Sequence, residues 1–451
     1  MSSSALEARP GSRPLAATPS IIRLALHPLE VILLALSLVG GSLNMSTNRA
    51  VSYVGFGLIT LALLYACYLL IGRLLAGAKW PRELRPVVFW GCLLGWLYLI
   101  TLMLHGQLSG ILFSTGRLWL FLGFMLLVAC VDWKAAYLQI LAAWLGGWVV
   151  VLSVWWAAAG FPRGFKAYLV SGNGLGPFAA LALFFLGLAW LMTSQRWPRL
   201  VYAGLSVLSL GLLWGSSARS AMLAVVIALL VYALWPWLSR RRLRMHLVWI
   251  VLLCIVASAY VIYPLVRTQP VYDQLQSLSL QLTSKNVYSG RDVMWILVLR
   301  KIQERPLLGY GPMAEPRKLF ATDHRAYSTY LLIALQVGLV GLALFILLLN
   351  AIWNGFWSGR NHPAVRIAAA ALVFIVVHDI FEAHFTQGNA ALGILMWMSI
   401  GIGLAYSWQN REQGAIEPTD ACPPLRTTRR PVAVAQSTSP EQLRGRGQPP
   451  G

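Results

Sequence analysis

The chain alternates long apolar runs with short polar connections over most of its length. A run of about 20 apolar residues can cross the hydrocarbon core of a bilayer as a helix. About 12 runs approach or reach that length, which predicts an all-α, polytopic membrane helix bundle. The predicted spans are 24–43, 51–75, 86–104, 114–131, 135–158, 177–194, 199–215, 218–239, 247–265, 327–350, 365–381 and 390–408.

The two ends of the chain differ in composition from the apolar middle, predicted to form the bundle over residues 21–408. Residues 1–20 are rich in Ser, Ala and Pro, and residues 409–451 in Pro, Arg, Gln and Thr. Such compositions predict a disordered leader and a disordered tail. The first apolar run lacks a convincing small-residue cleavage site, so we expect it to remain as an anchor.

One connection, residues 266–326, is about sixty residues long, far above the usual loop length. Apolar and polar positions alternate within it, notably over 293–299, which predicts amphipathic helices packed on the bundle. Arg291 opens one of these helices, where the helix dipole disfavours a cation. That unfavourable position is a hint that Arg291 has another role.

The distribution of Lys and Arg among the connections predicts the orientation of the bundle, because cytoplasmic loops carry the excess of basic residues. With the N-terminus in the cytoplasm, the inside connections hold Arg73, Lys79, Arg82, Arg85, Lys134, Arg196, Arg199, Arg240, Arg241, Arg242, Arg244, Arg360 and Arg366. The outside connections hold Arg49, Arg117, Arg163, Lys166 and Arg219. This predicts a bacterial inner-membrane protein with both termini cytoplasmic and the long loop periplasmic.

Composition excludes a soluble catalytic domain of normal size, because 58% of residues are hydrophobic and 11% charged, against about 25% charged in soluble domains. The net charge of +21 is spread over loops, not gathered on a soluble module, so nucleic-acid binding is not predicted. Cys67, Cys92, Cys130 and Cys254 lie inside apolar runs without metal-ligand spacing. No cofactor or metal ion is expected.

Four polar segments, three of which contain glycine, fall on the predicted outer side. They are Trp-Gly-Ser-Ser-Ala-Arg-Ser at 214–220, Ser-Gly-Arg-Asp-Val-Met-Trp at 289–295, Arg-Pro-Leu-Leu-Gly-Tyr-Gly-Pro at 305–312, and Asp-His-Arg-Ala-Tyr-Ser-Thr-Tyr-Leu at 323–331, which leads into a span with Gly338 and Gly341.

In this order and spacing the segments resemble the O-antigen ligase and polymerase superfamily of bacterial glycan assembly, over about residues 170–400. The resemblance implies a membrane glycosyltransferase that takes a glycan from undecaprenyl diphosphate on the periplasmic side. In ligases the acceptor is the lipid A–core, and in polymerases it is another lipid-linked repeat unit. The resemblance also implies that Arg219 and Arg291 bind the diphosphate.

The chemistry of arginine agrees with that role, since a guanidinium group stays ionised and engages phosphate oxygens in bidentate fashion. Arg219 and Arg291 both oppose the loop-charge bias, which favours function over a snorkelling side chain at the interface. Arg163, Lys166 and Arg317 are weaker electropositive candidates, more simply explained as solvated loop charges.

The acceptor hydroxyl needs a base, and histidine is the usual choice near neutral pH. Family members have a His just before the Ser-x-Tyr-Leu segment, but aligning on Gly338 and Gly341 puts Tyr327 at that position. His324 lies three residues earlier, on the same face if the helix extends back one turn. We predict His324 as a catalytic base, with an exposed loop residue as the alternative.

A second ionisable cluster spans residues 378–384, where charges at membrane depth are costly and often functional. Its Phe-Glu-Ala segment resembles a Glu-containing motif of exopolysaccharide polymerases, so Glu382 is the other predicted catalytic residue. Asp379, His378 and His384 are secondary candidates, and an interfacial helix cap is the alternative. The His-x₅-His spacing suits no helical face and lacks a third ligand, so zinc is not favoured.

These observations predict a ligase-like glycosyltransferase that attacks the anomeric carbon with inversion and without a metal ion. Its predicted partners are the lipid-linked donor, the lipid A–core or another glycan acceptor, and membrane lipids. The first alternative is a polymerase, which Tyr327 and the Phe-Glu-Ala segment favour. The second is a flippase, for which internal repeats and mid-membrane charges are expected and few are found. The donor glycan and the oligomeric state stay open.

Overall fold

The apolar runs fold as helices in the computed structural model, which describes residues 38–416 except 76, 78–79, 111–113, 167–171, 267–268, 284–285, 289, 322–326 and 386–388. The helices are α1 (Arg49–Leu75), α2 (Arg85–Leu104), α3 (Gly116–Ala129), α4 (Ala135–Ala158), α5 (Gly172–Met192), α6 (Arg196–Gly215), α7 (Arg219–Leu238), α8 (Arg242–Val266), α9 (Val271–Thr283), α10 (Arg291–Glu304), α11 (Pro316–Phe320), α12 (Thr329–Gly355), α13 (Pro363–His378) and α14 (Ala390–Ile416). Residues 38–44 are also helical.

Nine of the described helices are long and apolar enough to cross a membrane, and α3 and α13 are shorter apolar helices. The predicted all-α, polytopic membrane bundle is therefore confirmed. The first predicted span, 24–43, lies mostly outside the described residues, as do the predicted leader 1–20 and most of the tail 409–451.

Two predicted spans, 114–131 and 365–381, are shorter in the structure, where α3 and α13 have 14 and 16 residues. The reason is visible at α13, since the backbone leaves the helix at Asp379 and continues as an irregular segment, residues 379–385. Non-helical backbone at this depth is tolerated only where protein buries it and supplies hydrogen bonds. This buried connection carries the second ionisable cluster of the sequence.

The long connection between α8 and α12 contains α9, α10 and α11. Helix α10 begins at Arg291 after Gly290, whose φ of 79° turns the chain into the helix. Its buried side chains include Met294, Trp295 and Val298, one face of a helix. That face packs against α8 and α12, which fixes Arg291 at the end of the bundle that carries the long connection, called here the loop end.

Helix α12 is broken in its first half. Val337 and Gly338 have non-helical backbone angles, and Gly338 has φ 73° and ψ −174°. A break inside a span frees peptide groups that the bilayer cannot satisfy, so protein must do so.

The turn at residues 305–311 satisfies these groups. The amides of Tyr310 and Gly311 donate to the carbonyls of Leu335 and Gln336, both at 2.9 Å, and the amide of Leu339 donates to the carbonyl of Pro306 at 2.7 Å. The loop and the broken helix therefore form one hydrogen-bonded unit.

Replacing Gly338 by alanine is expected to destabilise the protein by a few kcal/mol, on the order of 3, because a side chain is strained at positive φ and would meet the turn. An added Cβ would lie 2.0 Å from the Leu307 carbonyl oxygen. Thermal unfolding in detergent measures the effect. The control is Gly57→Ala in α1, where nothing lies within 4 Å of the added Cβ, and equal stability of the two variants would contradict the expectation.

Candidate active site

A buried ion pair joins the long loop to the connection after α13. The Nη2 atom of Arg291 donates to Oε1 of Glu382 at 2.7 Å, and the two side chains are 12% and 5% exposed. Both residues were predicted as site residues from separate segments of the sequence. Their contact brings a cation and a carboxylate together in one hydrogen bond.

Tyr327, at the position where the family has a His, also contacts Arg291. The guanidinium carbon lies 5.1 Å from the centre of the Tyr327 ring, within cation–π range. The backbone of Tyr327 has φ 44°, an uncommon angle for a residue with a side chain. Tyr327 therefore helps to position the arginine.

The start of α12 anchors the connection at residues 379–385. The Thr329 amide donates to the carbonyls of Asp379 at 3.1 Å and Glu382 at 3.0 Å. The Thr329 hydroxyl donates to Oδ2 of Asp379 at 2.6 Å, and the Phe385 amide donates to the same oxygen at 3.1 Å. Asp379 thus stabilises the backbone of the connection, whereas Glu382 faces Arg291.

Burial raises the pKa of Asp379, which lies just beyond the end of α13, to about 8. Between about pH 4 and 8 the unfolded chain releases this proton and the folded chain keeps it, so stability falls as pH rises through that window. The isosteric variant Asp379→Asn has no carboxyl group that titrates at this position. The free energy of unfolding of the variant, relative to that of wild type, is therefore expected to rise by about 1.4 kcal/mol per pH unit across the window. Unfolding curves in detergent at several pH values measure this, and parallel pH dependences of the two proteins would contradict it.

His384 lies on the other side of Glu382 from Arg291, with its Nε2 atom 3.7 Å from Oε2. The Asn389 amide points at Nδ1 of His384 at 3.5 Å, which assigns the ring proton to Nε2, towards the carboxylate. His378 stacks on His384 with ring centres 5.7 Å apart and is fully buried. His378 supports His384 by packing, and a substrate cannot reach its ring.

An aromatic layer holds α10 and the buried connection in place. Trp295 of α10 stacks on Phe381 with ring centres 5.8 Å apart, and Tyr263 of α8 packs against both rings at 4.9 and 5.6 Å. Trp295 has no exposed surface. Because Phe381 directly precedes Glu382, this layer fixes the carboxylate relative to Arg291.

Arg219, the first residue of α7, binds the long connection instead of the ion pair. Its Nη1 atom donates to the Ser279 hydroxyl of α9, and its Nη2 atom donates to the Asn286 carbonyl at 2.7 Å. The turn before it is strained, since Ser217 has φ 52°. Arg219 therefore has a defined position at the loop end.

A cavity of about 400 Å³ opens beside Arg219. Arg163, Ser217 and Ser279 supply its polar lining, and Trp214, Met222, Leu275, Leu278 and Val287 its apolar lining. Arg163 donates to the Gln281 carbonyl at 2.8 Å, so two arginines border the same space. This mixed lining suits a group with an anionic head and a hydrocarbon neighbour.

The two predicted diphosphate-binding residues lie near each other. Arg219 and Arg291 interact electrostatically, and each also interacts electrostatically with Tyr263. That hydroxyl donates to the Val287 and Tyr288 carbonyls at 3.2 and 3.3 Å. Two like charges held close together favour binding of a multivalent anion.

The structure brings together seven of the predicted site residues: Arg219, Arg291, Tyr327, His378, Asp379, Glu382 and His384. His324 lies outside the described residues. Sequence reasoning missed Tyr263 and Thr329, which resemble ordinary interfacial and capping residues in a single sequence. Within the described part of the chain, no three His, Cys, Asp or Glu side chains form a group that could hold a metal ion.

One protein family matches this region. Residues 204–346 match the family described as O-Antigen ligase. The match runs from within α6, through Arg219 and Arg291, to α12 beyond its break, and stops before the connection that carries Glu382. No curated protein matches the chain.

Proposed function

We propose that this chain, whose residues 204–346 match the family described as O-Antigen ligase, is a member of the O-antigen ligase and polymerase superfamily. In this proposal it transfers a glycan from undecaprenyl diphosphate to a sugar hydroxyl at the loop end of its bundle. The superfamily consists of membrane glycosyltransferases. The observation that carries the proposal is the buried 2.7 Å contact between Arg291 and Glu382, with Arg219 close by. This arrangement provides a phosphate-binding group and a proton acceptor in one place.

On the donor side, Arg219 and Arg291 hold the diphosphate and stabilise the charge that develops on it as it leaves. Such fixed donors contribute most where water is excluded. The Nε atom of Arg291 is buried and has no hydrogen-bond partner among the described residues. This unused donor beside the Glu382 contact supports a polar ligand for Arg291.

On the acceptor side, Glu382 takes the proton of the attacking hydroxyl. The hydroxyl oxygen forms a bond to the anomeric carbon, and the bond from that carbon to the diphosphate oxygen breaks. The proton passes to the carboxylate, and undecaprenyl diphosphate leaves with the bonding electrons. Attack from the face opposite the leaving group inverts the anomeric configuration.

Arg291 couples the two sides of this reaction. A carboxylate held by a full positive charge is a weaker base, because the cation favours its ionised form. A bound diphosphate shares the charge of Arg291, so Glu382 becomes a better base when the donor is present. His384, with its Nε2 proton towards Oε2, keeps the carboxylate oriented meanwhile.

The acceptor can be the lipid A–core, as the resemblance first suggested, or another lipid-linked repeat unit. The site favours the second. Tyr327 stands where family members have a His, and its ring packs on Arg291. Glu382, from the segment that resembles polymerases, pairs with Arg291 and is the proposed base. We therefore propose a polymerase, with a ligase as the other candidate.

The proposed location is the bacterial inner membrane, with both termini in the cytoplasm and the loop end in the periplasm. The excess of Lys and Arg in the connections at the opposite end supports this orientation. It places the diphosphate site in the outer leaflet, where lipid-linked glycans are handed on.

Glycan profiling of a deletion strain tests the function. Single repeat units on the lipid carrier, or single units on the acceptor, support a polymerase. Full-length polymer on the carrier beside a bare lipid A–core supports a ligase. Unchanged lipid-linked species and surface glycan would contradict both, and flipping in vesicles without a glycan product would identify a transporter.

The profiling needs complementation with wild type and with a matched arginine variant outside the site. Arg300→Ala in α10 serves this purpose, because Arg300 lies on the exposed face of the helix that starts with Arg291. We expect Arg300→Ala to restore the wild-type glycan profile.

A further inference from the structure

A long apolar groove, here called the α1 groove, runs between α1, α2 and α3. Helix α1 lines it with a side chain on every turn from Phe56 to Leu74. Among the described lining side chains, only Thr60 carries a hydroxyl and only Arg117 carries a charge. Leu64 and Ile71 on its rim are more than half exposed, so the groove is open to lipid.

The α1 groove is long enough for an extended hydrocarbon chain. Residues 56–74 of α1 span about 27 Å at 1.5 Å per residue, and the volume is about 790 Å³. An apolar groove that runs along most of a membrane helix suits the hydrocarbon chain of a lipid.

Arg117 gives the loop end of the groove a positive charge. It is the second residue of α3, and its guanidinium carbon lies 5.5 Å from the centre of the Phe121 ring. A cation at membrane depth beside a hydrocarbon groove complements a lipid with an anionic headgroup.

The charged end of the groove lies close to the candidate active site. A Cβ built on Gly393 would be 2.7 Å from the Phe121 ring and 3.3 Å from the His384 carbonyl oxygen. Phe121 and Gly393 thus separate Arg117 from His384. Arg219, by contrast, interacts electrostatically with Arg291. Arg117 is therefore near the His384 side of Glu382, and Arg219 is near the Arg291 side.

We propose that the α1 groove binds the chain of the acceptor lipid, a polyprenyl phosphate or diphosphate that carries the attacking glycan, with its phosphate at Arg117. This rests on the proposed function, in which the donor diphosphate occupies the Arg219 side. An enzyme that joins two lipid-linked glycans needs two lipid-binding sites, and both must place their glycan beside the same catalytic carboxylate. An acceptor carried on a second polyprenyl lipid makes the proposed enzyme a polymerase.

Photo-crosslinking of the full-length protein in nanodiscs tests the groove directly. The probe is undecaprenyl phosphate with a diazirine in its chain, and the label is mapped by peptide mass analysis. We expect labelling within residues 56–74, with excess undecaprenyl phosphate competing at concentrations at least tenfold lower than phosphatidylglycerol. Equal competition by phosphatidylglycerol would show an ordinary annular lipid and overturn the proposal.

Two tryptophan variants on the same helix sharpen the test. Leu64→Trp fills the groove, whereas Leu61 is 63% exposed and does not line it, so Leu61→Trp is the matched control. We expect Leu64→Trp to lower labelling at least tenfold and to raise the acceptor KM more than it lowers kcat. Unchanged labelling of Leu64→Trp would refute the groove as a binding site.

The Arg291→Ala variant separates this proposal from the proposed function. It is expected to lose transfer and to keep labelling in the α1 groove. If Arg291→Ala loses transfer but the wild-type protein is not specifically labelled in the α1 groove, the groove proposal is wrong and the proposed function is unaffected. If the groove is specifically labelled but Arg291→Ala keeps full transfer, the proposed reaction roles are wrong and the groove is still a lipid-binding site.

Discussion

Glycan transfer by the Arg291→Ala variant is expected to fall by about 10³-fold or more, which is the range seen when a charge-stabilising group is removed from a polar transition state. Arg291 contacts the carboxylate and faces the diphosphate in the proposed mechanism, so both halves of the reaction lose a partner. Transfer is measured with purified protein and a lipid-linked donor. Arg291→Lys keeps the charge but not the planar fork, so it should recover only part of the rate.

Stability must be separated from catalysis in this variant. Removing Arg291 leaves Glu382 buried without its cation, and breaking a buried pair costs about 3–5 kcal/mol. The double variant Arg291→Ala with Glu382→Gln removes both charges, so it should recover much of the thermal stability and none of the transfer. Recovery of transfer together with stability would reduce Arg291 to a structural role.

Glu382→Gln is expected to lower kcat by about 10²–10⁴-fold, the range for a positioned general base. The amide oxygen can still accept the hydrogen bond from Arg291, but it cannot take a proton from the acceptor hydroxyl. The KM for the donor should change little, because the arginines that are proposed to bind the diphosphate stay in place. Initial rates over a range of donor and acceptor concentrations separate the two constants.

Asp379→Asn is the matched control for this effect, since it makes the same carboxyl-to-amide change at another buried acidic residue three positions away. Asp379 bonds Thr329 and Phe385 and not a substrate-facing cation, so we expect less than a tenfold change in kcat. A larger loss of kcat in Asp379→Asn than in Glu382→Gln would make Asp379 the general base and Glu382 the structural residue. A larger loss in His384→Gln would identify the imidazole as the proton acceptor.

Hydropathy and loop charge predicted the helical bundle because a bilayer leaves a chain few ways to satisfy its peptide groups. The start of α10 was also predictable, because Arg291 follows the flexible Gly290 and precedes an apolar face. The pairing of Arg291 with Glu382 could not be predicted, because the two residues are 91 positions apart and a single sequence does not show which loops contact each other.

The break in α12 could not be read from hydropathy either, because Gly338 lies within an unbroken apolar run. The different roles of Asp379 and Glu382 depend on which way each carboxylate points, a property of three-dimensional packing. Tyr263 gave no signal, since interfacial tyrosines are common in any membrane helix. The groove along α1 looks, in sequence, like any other lipid-facing stripe.

The order of the segments around the break in α12 has a consequence for biogenesis. The ribosome delivers a chain from its N-terminus, so the turn at 305–311 is made before the helix that it completes. When α12 enters the bilayer, partners for the exposed carbonyls of Leu335 and Gln336 are already present. A circularly permuted chain that began at α12 would insert the break first, with peptide groups bare to lipid at several kcal/mol each. In the native chain order, the turn that hydrogen-bonds to the broken part of α12 is therefore synthesised before α12 leaves the translocon.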